Sequence, residues 1–217
     1  MASTATAHAD HQAHVQHHFV SSEQQFDSAK MGMWLFLITE ILLFSGMFVA
    51  YAVYRVWYPE MFDSAAQELL DPFKGALNTI VLLGSSLTVA MAIRFIQDDE
   101  AKKAGWALVV TVLLAGVFMV IKYFEYTHKI HEGILPGVHY SYEGLTTPYV
   151  GIFMSIYFVM TGIHGLHVVI GMVILSVIAF RTFRGDFSSE YYTYIELSAL
   201  YWHLVDIVWI FVFPLIY

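Results

Sequence analysis

Several side chains in this sequence that could do chemistry lie inside long runs of apolar residues. Glu40 follows Trp34, Leu35, Phe36 and Leu37 and precedes Ile41, Leu42, Leu43 and Phe44, about ten residues into its run. In the last apolar run Glu196, His203 and Asp206 are spaced by seven and three residues, which puts all three on one broad helix face. In the run before it Thr161, His164 and His167 share a face with Gly165 and Gly171. Two kinds of chemistry fit such groups. The histidines supply ligands for haem or another metal if two of the three converge. Alternatively they form a polar seam that joins helices, with small residues permitting close approach. Glu40 reads either as a proton-exchanging or lipid-headgroup-facing carboxyl, or as an acid hydrogen-bonded to a neighbouring helix.

The elements that position these groups are set by composition. Of 217 residues, 58% are hydrophobic and 13% charged, with mean hydropathy +0.62; soluble domains carry about 25% charged residues. Five apolar stretches, at about 31–58, 73–96, 104–126, 148–183 and 192–217, reach the length that crosses a bilayer, about 20 residues for about 30 Å of hydrocarbon. Within lipid each backbone group must be paired inside its own helix or in a closed barrel, and strand alternation is absent, so the fold is all-α and polytopic. Breakers separate the stretches: Pro59, Asp71-Pro72, Gly133, Pro136-Gly137 and Gly185-Asp186. The expected organisation is a polar tail over 1–30 and a five-helix membrane domain over 31–217. The fourth helix is long and must tilt or protrude.

The remaining polar groups are read from their places. The tail carries His8, His11, His14, His17 and His18, a pattern that suits a solvated tail better than a dedicated metal site. Lys122, Glu125, Tyr126 and Lys129 fall at i, i+3, i+4 and i+7 near the end of the third run, where a Lys–Glu pair is expected to snorkel to the interface. Asn78 and Thr79 are expected to hydrogen-bond between helices. The chain has no cysteine, which excludes disulfides, thiolate metal sites and cysteine nucleophiles. Its net charge of -8 leaves no footprint for nucleic acid. Lys30, Arg94, Lys102, Lys103, Arg181 and Arg184 lie on the side of the amino terminus, against Arg55, Lys74 and Lys129 on the other, which favours an amino terminus in the cytoplasm.

Four strings carry a resemblance. Gly32-Met33-Trp34-Leu35-Phe36-Leu37-Ile38-Thr39-Glu40, Leu77-Asn78-Thr79 with Leu82-Leu83-Gly84-Ser85-Ser86, Thr161-Gly162-Ile163-His164-Gly165-Leu166-His167-Val168, and Tyr201-Trp202-His203-Leu204-Val205-Asp206-Ile207-Val208-Trp209 occur in order. Together they resemble subunit III of the haem–copper oxidases. The resemblance implies the shorter bacterial form with five helices, in two groups around a V-shaped cleft that holds phospholipid and packs against subunit I, with subunit II and small subunits as further neighbours. It implies no cofactor in this chain, haem and copper in partner subunits, and no catalytic residue here. It places Glu40 as the buried carboxyl beside the lipid cleft and Arg181 as the arginine that meets a lipid phosphate. It moves His164, His167 and His203 to the structural reading, so that with Asn78, Thr79, Thr161, Glu196 and Asp206 they are expected to form a structural polar seam. Where many members have a tryptophan nine residues after the glutamate, this chain has Val49.

The implied role is an accessory subunit of a proton-pumping terminal oxidase in the bacterial inner membrane. It would support subunit I, sustain proton uptake and guide oxygen through the lipid cleft. Three other readings compete: a haem-binding cytochrome b-like subunit, a stand-alone transporter with Glu40 and Asp206 as relays, and a subunit III-like protein of nitric oxide reductases.

Overall fold

The computed structural model describes residues 19–135, 149–189 and 191–217. Its helices are α1 (Ser22–Trp57), α2 (Pro59–Leu69), α3 (Pro72–Gln97), α4 (Ala101–His131), α5 (Val150–Phe183) and α6 (Thr193–Ile216). Among the described residues there is no strand, and Ser188 and Tyr191 form an isolated bridge. Five helices, all but α2, are long and apolar enough to cross a membrane. The histidines of the tail, His8 to His18, and the Pro136-Gly137 turn lie outside the described residues.

The helix ends follow from local chemistry. The Asp71 carboxylate accepts from the Phe73 amide at 3.0 Å, and Pro72 starts α3 where its missing N–H costs nothing. Three helices stop by one device, a residue with positive φ followed by an amide that reaches back into the last turn. Gly133 (φ 74) ends α4, with Ile134 N–H on the Lys129 carbonyl at 3.0 Å; Gly185 (φ 81) ends α5, with Asp186 N–H on the Arg181 carbonyl at 3.2 Å. After α3 this left-handed position is held by Asp99 (φ 58), with Glu100 N–H on the Phe95 carbonyl at 2.8 Å. The Asp99 carboxylate then accepts from the Ser189 amide at 3.0 Å, pinning the α3–α4 turn to the α5–α6 connection. Hydrogen bonds from Ser189 hold that carboxyl below the usual carboxylate range. The pin is therefore present at neutral pH and is lost only as pH falls through the lowered value.

The chain divides into two compact units, one ending at Leu42 and the other covering Leu43–Tyr217; α1 runs through the boundary between them. In the second unit α3, α4, α5 and α6 pack as a closed ring, each against two others, and α2 lies on α5. The sequence placed no helix between the first two spans. α2 is amphipathic, burying Met61, Phe62, Ala65 and Leu69, and Phe62 packs edge-on between Tyr51 and Phe153 at centroid distances of 5.1 and 5.3 Å. Two boundaries differ from the expectation. α1 begins at Ser22, so part of the polar tail is helical, and α4 continues to His131, a full turn beyond residue 126.

Candidate functional site

The ring of four helices is held by polar contacts between α6 and α3. The Trp202 indole donates to the Ser85 hydroxyl at 3.0 Å, and the Trp209 indole donates to Thr79 at 3.1 Å. Between them His203 Nδ1 pairs with the Ser86 hydroxyl at 2.7 Å. The pairs 85 with 202 and 79 with 209 are those of antiparallel neighbours: residues advance on one helix as they retreat on the other. A hydroxyl on α3 also meets α4, Thr88 with Thr111 at 2.8 Å. On the other side of the ring Thr161 of α5 hydrogen-bonds the Tyr126 hydroxyl of α4, and the Tyr201 hydroxyl of α6 donates to the His167 carbonyl at 3.2 Å. Close approach of α5 and α6 depends on Gly171, where a Cβ would stand 2.7 Å from the Trp202 ring. Gly165, which shares a face with the histidines in sequence, has nothing within 4 Å of such a Cβ.

Three deeply buried groups lack hydrogen bonds. Asn78 and His164 are fully buried and Asp206 nearly so, and neither the amide, the imidazole nor the carboxyl finds a partner among the described residues. His164 lies among rings, edge-on to Phe118 at 5.6 Å and tilted over Trp209 at 5.1 Å. What it meets on α6 is thus Trp209, not His203. His203 and Asp206 sit one turn apart, yet the imidazole goes to Ser86 rather than to the carboxyl. His167 Nδ1 pairs with the Ile163 carbonyl at 2.8 Å and its ring stands edge-on to Phe44 at 5.2 Å. The three histidines are therefore held separately. Among the described residues no three His, Asp or Glu side chains are grouped so as to hold a metal.

The densest polar cluster was legible in the sequence but placed wrongly. Lys122, Glu125 and Lys129 do not snorkel; they are 7%, 4% and 4% exposed. Lys122 Nζ lies 3.0 Å from Glu125 Oε2 and donates to the hydroxyls of Tyr217 at 2.8 Å and Tyr157 at 3.3 Å. Glu125 Oε1 accepts from Tyr157 at 2.7 Å and Tyr217 at 2.5 Å. Lys129 donates to the Leu69 carbonyl at 2.6 Å, the last turn of α2, and lies 3.8 Å from Glu125. Aromatic faces enclose the ammonium of Lys122, with Trp209 at 5.1 Å and Tyr157 and Tyr217 at 5.3 Å. The physical reason for the misplacement is tertiary packing: Tyr157, Tyr217, Trp209 and the Leu69 carbonyl, all distant in sequence, close over these groups. One ionic cluster thus ties α4 to α2, α5 and α6.

Arg181 ends α5 with its guanidinium over the rings of Phe187 at 5.0 Å and Tyr194 at 5.5 Å. Its Nε pairs with Asp186 at 3.1 Å in a site 39% exposed. Burial and the neighbouring Tyr194 push the phenol of Tyr191, in the same loop, above its ordinary range. Glu196, in the first turn of α6, is half-buried. Glu40 is half-buried on α1, within the first unit, and the adjacent Thr39 hydroxyl bonds back to the Phe36 carbonyl at 2.6 Å.

Comparison with known proteins places this arrangement. The family model described as cytochrome c oxidase subunit III matches residues 3–217. The chain belongs to the cytochrome c oxidase subunit III family. It is 37% identical over 193 residues to cytochrome c oxidase subunit 3 of Oncorhynchus mykiss and to that of Gadus morhua, covering 87% of this chain and 68% of each relative. The subunit of Tetraodon nigroviridis is 36% identical over the same span. A subunit III is an accessory part of a haem–copper oxidase, so the chain associates with other oxidase subunits. In this family member the polar pairs found between α3 and α6 lie on two of the strings that carried the resemblance. The ion-pairing residues Lys122, Glu125 and Lys129 lie on none of them; their signal was the i, i+3, i+7 spacing alone.

Proposed function

We propose that the chain serves as subunit III of a proton-pumping haem–copper terminal oxidase, packed mainly against subunit I, in a bacterial inner membrane with its amino terminus in the cytoplasm. Its part is structural and protective. It braces subunit I, keeps phospholipid in the V-shaped cleft beside Glu40 and Arg181, sustains proton uptake and gives oxygen a hydrocarbon path inward. Haem and copper reside in the partner subunits, and subunit II and small subunits complete the assembly. Asn78, Thr79, Thr161, His164, His167, Glu196, His203 and Asp206 form the seam that fixes the helices. The observation that carries this reading is the family match from residue 3 to residue 217, which runs through all five apolar helices.

The geometry adds support at two places. The Arg181 guanidinium uses Nε for Asp186, which leaves its outer edge suited to a phosphate. The imidazoles face hydroxyls, a carbonyl and aromatic rings rather than one another. The test is to isolate the complex through a tag on this chain in mild detergent and identify what accompanies it by mass spectrometry. A large haem-bearing membrane subunit is expected in near-equal amount. Recovery of the chain without one contradicts the proposal.

A further inference from the structure

The outward side of α3 and α6 combines an apolar surface with a polar group that hydrocarbon cannot satisfy. Ile207, Ile210 and Phe211 on α6 and Ile80, Leu83 and Leu87 on α3 are exposed. At i, i+4 and i+7, His203 stands on the same side of α6 as Ile207 and Ile210. Its ring is only half-buried and lies in the middle of a helix of 24 residues. The Ser86 hydroxyl holds Nδ1 at 2.7 Å, which fixes the plane of the imidazole. Nε2 has no hydrogen-bond partner among the described residues. Lipid headgroups lie about 15 Å from the bilayer centre, half of the roughly 30 Å core, so they do not reach this depth, and acyl chains offer no hydrogen bond. A half-exposed, oriented imidazole at mid-membrane fits a helix that brings its own polar side chain. By contrast α4 exposes Leu113, Val117 and Val120 with no ionisable group among them, as a lipid-facing surface should.

We infer that the outward face of α3 and α6 around His203 docks one transmembrane helix of another subunit, which hydrogen-bonds Nε2 of His203 through a polar side chain at mid-membrane depth. The inference rests on the reading of this chain as a subunit of an oxidase, and names the surface used.

The test places a benzophenone amino acid at Ile207, and separately at Val117, in the full chain expressed with its partners, and irradiates native membranes. Ile207 is expected to give an adduct with a different membrane subunit, and Val117 adducts with lipid. His203→Leu should lower the Ile207 adduct about five-fold, the change expected of one lost hydrogen bond within a membrane, while His203→Gln, which can still donate, should retain it. Only lipid adducts at Ile207, an adduct with a second copy of this chain, equal subunit adducts at both positions, or an unchanged yield in His203→Leu would each overturn the inference. Haem-bearing protein recovered in the same preparation separates the two failures. If it is present and Ile207 meets lipid alone, the docking surface is wrong and the assembly stands; if it is absent, both fall.

Discussion

Glu125→Gln is expected to destabilise the folded chain by about 3–5 kcal/mol, the cost of breaking a buried ion pair from one side. The carboxylate faces two buried ammonium groups, Lys122 at 3.0 Å and Lys129 at 3.8 Å. Glutamine keeps the shape and one acceptor but leaves both cations unpaired in a site walled by Trp209, Tyr157 and Tyr217. Since Lys129 also holds the end of α2 through the Leu69 carbonyl, the loss should loosen α2 as well. Thermal unfolding of the detergent-solubilised complex, read from tryptophan fluorescence, measures the effect. Lys122→Met with Glu125→Gln should cost less than the sum of the single changes, because the two groups are coupled. Additive losses would show that the pair does not interact as its geometry demands.

The second large effect is expected at Gly171. A methyl group there would lie 2.7 Å from two ring atoms of Trp202 and 3.3 Å from Tyr201. Trp202 is fully buried and bound to Ser85 through its indole nitrogen, so the ring cannot retreat without losing that hydrogen bond. Overpacking of this kind costs about 1–3 kcal/mol, and Gly171→Ala should lower the unfolding midpoint of the solubilised complex accordingly. Gly165→Ala is the matched control, six residues earlier on the same helix and open around its Cβ position. It should be neutral, or slightly stabilising through the better helix propensity of alanine. Equal losses for both glycines would mean that α5 and α6 are not in the close contact described.

What could be read from the sequence was governed by length and periodicity. Runs of more than 20 apolar residues point to membrane helices, and five such helices are found, although α1 starts earlier and α4 ends later than expected. The short helix α2 escaped because its eleven residues bury just one face, and Asp63, Gln67 and Glu68 give it the look of a connector. Spacing placed Lys122, Glu125 and Lys129 on one face of α4, but burial depends on what packs over that face. The partners of the cluster, Tyr157, Tyr217 and the Leu69 carbonyl, lie far off in sequence and only tertiary packing brings them in. The same holds for Ser85 and Ser86, whose indole and imidazole partners become evident only when α3 and α6 are laid antiparallel. Among the residues flagged in advance, Thr79, Thr161, His167 and His203 have hydrogen bonds that can be named, and Asn78, His164 and Asp206 stand buried without them.

The proposal that the buried acids and imidazoles brace helices and lipid, and carry no electrons, meets its most direct test in the visible absorption spectrum of this chain after separation from its partners in detergent. With His164 enclosed by Phe118 and Trp209 and His203 bound to Ser86, no Soret band should remain with the chain while the partner fraction keeps its full haem content. A band corresponding to one haem per chain would contradict it.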